Sequence, residues 1–98
     1  MGTYEGWKNR ATWNYMLWLN NDYGMYQQMC KMLPHIAAIN RVEGRKAIVY
    51  KNDAMQLALE IVGITTPDGD PAGDVAWGEI ARAMNEILRE MERYGGDH

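Results

Sequence analysis

The strongest constraint on this chain lies in its C-terminal part. From Trp77 to Met91, apolar residues recur every three or four positions: Trp77, Ile80, Ala81, Met84, Ile87, Leu88 and Met91. A helix turns once per 3.6 residues, so these side chains form one stripe. Glu79, Arg82, Glu86, Arg89, Glu90 and Arg93 fall largely off it and can form ion pairs at helical spacing. Such a helix is not stable alone in water; its stripe must be buried against other elements. A chain of 98 residues provides for one domain and one core. Cys30 is the single cysteine, so no internal disulfide can brace that core, and a reducing, cytosolic setting is expected.

The rest of the sequence supplies further helices. Asn9 is a good N-cap for a helix from Arg10 to Leu19, with Trp13, Met16, Leu17 and Asn20 at helical spacing. Asn21 or Asp22 can cap a second helix, Tyr23 to Met32, with Tyr26, Met29, Cys30 and Leu33 on one face. Pro34 lacks an amide hydrogen and is expected to end that helix and open a short one to Ile39. Gly44 marks a turn. Ala47, Tyr50, Ala54, Leu57 and Ile61 step by three and four, which favours one helix over Lys46 to Val62. The competing reading makes Ala47 to Tyr50 a short strand followed by a helix from an Asn52 cap. Gly63 to Gly73 reads as a loop, and Asp74 as the cap of the last helix. The expected fold is an all-α, single-domain bundle of about four helices over residues 1–98, with residues 1–8 as an N-terminal arm. In it the Trp13/Leu17 stripe packs on Ile80, Met84 and Leu88, and Trp13 and Trp77 anchor the core.

Charge and composition narrow the function. Ten Lys and Arg against thirteen Asp and Glu give a net charge of −3. That balance argues against broad nonspecific nucleic-acid binding, which needs a cationic surplus. It is also too mild for a DNA mimic. No apolar run approaches the ~20 residues of a bilayer span, and Met1 to Lys8 lacks the pattern of a secretory signal. A cytoplasmic protein without membrane contact is expected. Four Trp, six Tyr and eight Met stand beside no Phe. Trp and Tyr often sit where a core meets water or a partner.

No arrangement of residues specifies a reaction, so no enzymatic activity, cofactor or metal is expected. Asp68, Asp70, Ala72, Gly73, Val75 and Glu79 follow the spacing of a calcium loop, but Ala72 removes a donor and Gly63 and Pro67 break the helix that should lead in. Asp68, Asp70 and Glu79 are the residues that reading would use. Cys30, His35 and His98 are too few for a structural zinc site. Glu86, Glu90 and Glu92 interleave with arginines and read as a solvated face. Trp7, Lys8, Arg10 and Trp18 interleave aromatics with cations, a pattern that can stack single-stranded bases.

The run Gly6-Trp7-Lys8-Asn9-Arg10-Ala11-Thr12-Trp13-Asn14, continued by Leu17-Trp18-Leu19-Asn20-Asn21-Asp22, Gly24 and Tyr26, resembles a family of small, largely uncharacterised proteins of tailed phages, prophages and other mobile elements. Their shared pattern is W-x-N-x-x-T-W, then L-W or L-H, then N-D or N-D-x-G. Val75-Ala76-Trp77-Gly78-Glu79-Ile80-Ala81 resembles their C-terminal V-D-W-x-E-I-A run, with Ala76 where the acidic residue usually stands. The middle of the chain matches nothing in that pattern. The resemblance implies a phage or mobile-element origin and transfers no catalytic residue. By analogy of context it implies an accessory protein that binds another protein and inhibits a host defence system, by anti-CRISPR or anti-restriction action.

The residues expected to face a protein partner are the aromatics Tyr4, Tyr15, Trp18 and Tyr23 and the loop acids Asp68, Asp70 and Asp74. Small nucleic-acid-binding and calcium-loop functions stand as the alternatives to partner binding.

Overall fold

Asn9 opens the first helix through its side chain, as the sequence predicts. In a computed structural model, which describes residues 4–95, its Oδ1 accepts from the Thr12 amide at 2.9 Å and starts α1, Arg10–Asn21. Asp22 caps α2, Tyr23–Val42, by accepting from the Met25 amide at 3.0 Å. Helices α3, Lys51–Ile61, and α4, Trp77–Gly95, complete the bundle, with a 3₁₀ turn at Ala72–Asp74 before α4. The fold is all-α; among the described residues the only β pairing is two isolated bridges, Tyr4 with Trp7 and Thr65 with Pro71. No helix among these residues is long and apolar enough to cross a membrane. Residues 1–3 and 96–98, which include the start of the arm and His98, lie outside the described residues.

Pro34 does not end α2. The helix runs through it for 20 residues. Proline inside a helix removes one hydrogen bond and crowds the preceding turn. Here Met29, Leu33, Ala37 and Asn40 are buried at offsets of four, eight and eleven, so a single face pins both halves to the core. Pro34 itself faces outward. Burial of that face outweighs the local penalty, and the separate short helix to Ile39 does not exist.

The segment before α3 is neither the long helix favoured by its spacing nor a strand. Lys46 to Tyr50 is irregular, and α3 starts at Lys51. Two asparagine side chains replace the missing backbone ladder. Asn85 of α4 accepts from the Val49 amide and donates to the Val49 carbonyl, both at 2.8 Å. Asn40 of α2 donates to the Ile48 carbonyl at 2.8 Å and to Asp53 at 2.9 Å. Asp53 in turn accepts from the Tyr50 amide at 3.0 Å. Buried backbone groups must find partners, and here side chains from distant helices supply them. Val49 is thereby buried in an extended stretch.

The core gathers Tyr15, Met16 and Leu19 from α1, Met29 and Leu33 from α2, Leu57 from α3 and Ile80, Met84 and Leu88 from α4. Of the predicted α4 stripe, Ile80, Ala81, Met84 and Leu88 are buried and Trp77, Ile87 and Met91 are half-buried. Of the α1 stripe only Met16 is buried: Trp13 and Leu17 are half-buried, Asn20 is exposed, and Ala11, Thr12, Tyr15 and Leu19 face inward instead, so neither Trp13 nor Trp77 is a fully buried anchor. Helix α1 packs chiefly on α2, and α4 chiefly on α3. The α1–α4 junction is an edge contact of Tyr15 with the half-buried Trp77, 5.6 Å between centroids at 70°. The expected Trp13/Leu17 seam with α4 is therefore replaced by a Tyr15 seam.

Candidate functional site

The N-terminal motif and the stretch around Asp74 to Glu79 are far apart in sequence and form one joint. Asn9 Oδ1 accepts from Thr12 Oγ1 at 2.7 Å, and Thr12 Oγ1 accepts from the Ala76 amide at 2.9 Å. Asn9 Nδ2 donates to the Asp74 carbonyl at 2.8 Å, and the Lys8 amide donates to Glu79 Oε1 at 2.9 Å. Thr12 is fully buried at the centre of this joint. Asp74 caps no helix through its side chain; α4 begins three residues later, and the Asp74 carbonyl is what the joint uses.

The joint lays the Thr66–Asp74 loop along the outer side of α1. There Asp68 Oδ2 accepts from Asn14 Nδ2 at 2.9 Å and from Trp18 Nε1 at 3.1 Å. These two donors hold the Asp68 carboxyl below the usual carboxylate range, Asn14 contributing most. Asp70 pairs with Arg10 at 3.0 Å, which raises the Arg10 pKa. The Arg10 guanidinium also lies 5.8 Å from the centre of the Trp13 ring. Tyr4 also packs against that ring, 4.9 Å between centroids. It is brought there by a tight turn in which Glu5 and Gly6 both have positive φ, 51° and 87°, and Tyr4 and Trp7 exchange backbone hydrogen bonds. Gly6 adopts that conformation freely; Glu5 does so at a cost of about 1–2 kcal/mol. Tyr4, Trp13, Arg10, Asp70, Asp68 and Trp18 thus form a continuous ledge of aromatic and charged side chains.

Of the residues expected to meet a partner, the structure brings Tyr4, Trp18, Asp68 and Asp70 together on this ledge. Tyr15 is a correction. It is completely buried, and its hydroxyl donates to the Gly63 carbonyl at 2.8 Å. Burial, with Asp70 adding to it, raises its pKa. Tyr15 locks the end of α3 to α1 and presents nothing to a partner. Tyr23 is 76% exposed and stands apart on the first turn of α2, its hydroxyl accepting from Gln27. Asp74 is exposed beside the joint. Trp13, expected in the core, lies half-buried on the ledge, and the buried Asn14 supports it through Asp68, a pairing that no local pattern marks because it spans 54 residues of chain.

The same geometry bears on the other readings. Asp68, Asp70 and Glu79 are each spent on a different partner, Asn14 and Trp18, Arg10, and the Lys8 amide. They do not converge, and among the described residues no group of three His, Cys, Asp or Glu is placed to hold a metal. In the Trp7, Lys8, Arg10 and Trp18 cluster, carboxylates occupy the Arg10 guanidinium and the Trp18 indole nitrogen, where a phosphate strand would need unopposed donors. Cys30 is half-buried and unbridged on α2. Comparison of the chain with protein families, with curated proteins and with solved structures returns no match.

Proposed function

We propose that this protein is a phage or mobile-element accessory protein that acts by binding another protein and thereby inhibits a host defence system, of the anti-CRISPR or anti-restriction kind. The observation that carries the reading is the ledge on α1. Trp, Tyr and Arg are the side chains that dominate binding hot spots; here Asp68 holds Trp18, Asp70 holds Arg10, and Trp13 packs against Arg10 and Tyr4. Side chains ordered before contact lose little entropy on binding. The exposed loop acids Asp68 and Asp74 complement a basic, nucleic-acid-binding surface on the partner, which speeds association and makes it salt-sensitive, while Asp70 is paired with Arg10. The half-buried aromatic faces supply the apolar centre of the contact.

The test is capture of a partner from host lysate, followed by affinity measurement with Trp18→Ala and with the Asp68→Asn/Asp70→Asn pair, each first shown to be folded. Each change is expected to weaken binding at least tenfold, about 1.4 kcal/mol. The pair should also flatten the salt dependence. Expression in a host with an active restriction or CRISPR system should raise the plating efficiency of a targeted phage. Binding as tight as wild type in both variants, at low and moderate salt, would refute the ledge as the contact surface.

A further inference from the structure

A second surface, sharing no residue with the α1 ledge, has the opposite charge. The turn after α2, the start of α3 and one side of α4 enclose an open groove of about 740 Å³. Arg45, Lys51, Arg82 and Arg89 line it, four of the ten Lys and Arg in a chain whose net charge is −3. They come from three separate segments, so their convergence is a product of the fold. The one carboxylate in the lining, Asp53, is turned inward, where Asn40 Nδ2 and the Tyr50 amide occupy its Oδ2. None of the four acids of α4 lines the groove, and Glu79 and Glu86 line a different cavity with Glu5. Arg82 borders both cavities. Lys51, Arg82 and Arg89 make no ion pair among the described residues and are the cations open to a ligand, while Arg45 is ion-paired with Glu43 at 2.7 Å and held by Asn40 and the face of Tyr50.

Two further features shape the groove for an anion. Lys51 and Asn52 are the first residues of α3, whose opening amides have no intrahelical acceptor and whose dipole favours negative charge. Gly78, Arg82, Asn85 and Arg89 form one stripe of α4 at offsets of four, seven and eleven, with Asn85 bonded to Val49 as the floor. Gly78 has no positive φ, and a Cβ there would meet no atom within 4 Å. The packing of the fold does not call for glycine at this helical position, yet its absent side chain leaves that end of the groove open. Arg82 and Arg89 are two turns apart, about 10 Å along the axis. That spacing suits neighbouring phosphates better than one phosphate.

We propose that this groove binds adjacent phosphate groups, supplied either by successive phosphodiesters of a nucleic-acid strand or by a free polyphosphate. The inference does not rest on the protein-binding role of the ledge. The test is titration of the whole protein by calorimetry with an eight-nucleotide single strand, with inorganic tripolyphosphate and with a polyglutamate peptide, from 50 to 200 mM salt. If three phosphates of a strand are engaged, affinity should fall about 20-fold over that range. Arg82→Gln/Arg89→Gln should weaken phosphate binding at least tenfold and lower the salt slope with the melting temperature retained. Lys31→Gln, on α2 away from the groove, should bind as wild type does. Binding of the oligonucleotide alone identifies a strand as the source; binding of tripolyphosphate as well identifies free polyphosphate as sufficient. No binding of either at 50 mM salt, undiminished binding by the folded double variant, or polyglutamate binding as tight as phosphate would overturn the proposal. The last result would assign the groove to an acidic protein.

Discussion

Thr12 offers a direct measure of what the joint contributes, because two substitutions separate its hydroxyl from its methyl group. Its hydroxyl donates to Asn9 Oδ1 at 2.7 Å and accepts from the Ala76 amide at 2.9 Å, and the residue is fully buried. Thr12→Val keeps the shape and removes both bonds. The Ala76 amide is then stranded in a half-buried site at the start of α4, which costs about 1–3 kcal/mol, and the lost bond to Asn9 adds about 1 kcal/mol. The expected destabilisation is about 2–4 kcal/mol, a large part of the ~5–15 kcal/mol typical of a domain. Thr12→Ser keeps both bonds and loses one buried methyl, about 1 kcal/mol. Urea unfolding followed by tryptophan fluorescence resolves the two. With a slope of about 1–2 kcal/mol per molar, valine lowers the midpoint by more than about 1 M and serine by less. If valine proves as stable as serine, or more so, the joint is held by packing and the hydrogen-bond argument fails.

Two other perturbations probe the tertiary polar network. Asn85→Ala strands both polar groups of the buried Val49 backbone, so it should cost about 2–4 kcal/mol and lower the melting temperature by at least about 8 °C; an unchanged melting temperature would show that Val49 finds other partners. Asp68 has a depressed folded pKa, so its contribution is fully present above its unfolded pKa of about 4 and is lost as pH falls through the folded value. The stability difference between wild type and Asp68→Asn should therefore be largest near pH 6–7 and close toward pH 3, and a difference constant with pH would contradict the hydrogen-bonded ledge.

The readable part of the sequence was the part whose signals are local. Asn9 and Asp22 announce α1 and α2 because a cap satisfies amides only three residues away. The α4 stripe was legible because its inner and outer faces differ so sharply in polarity. The ledge was half legible: its aromatics and acids could be named, but their pairing could not, since Arg10 and Asp70 lie 60 residues apart. The groove gave no sequence signal, because its cations come from three segments that only the fold brings together.

What the sequence determined alone was an all-helical chain with the capped starts of its first two helices and the inward face of its last. Tertiary structure decided the rest. It chose which side of α1 faces the core, burying Thr12, Asn14 and Tyr15 and leaving Trp13 and Leu17 half-buried. It carried α2 through Pro34 and held Lys46 to Tyr50 out of a helix. In each case the local preference is worth a few kcal/mol at most. At Pro34 it yields to burial of the α2 face; elsewhere it yields when partners from distant segments reach buried polar groups: Ala76 for Thr12, Asp68 for Asn14 Nδ2, Gly63 for Tyr15, and Asn40 and Asn85 for the backbone of Ile48 and Val49. Polarity read along the chain misassigns such residues to the surface, because a buried polar group is stable only through a partner that the linear sequence does not reveal.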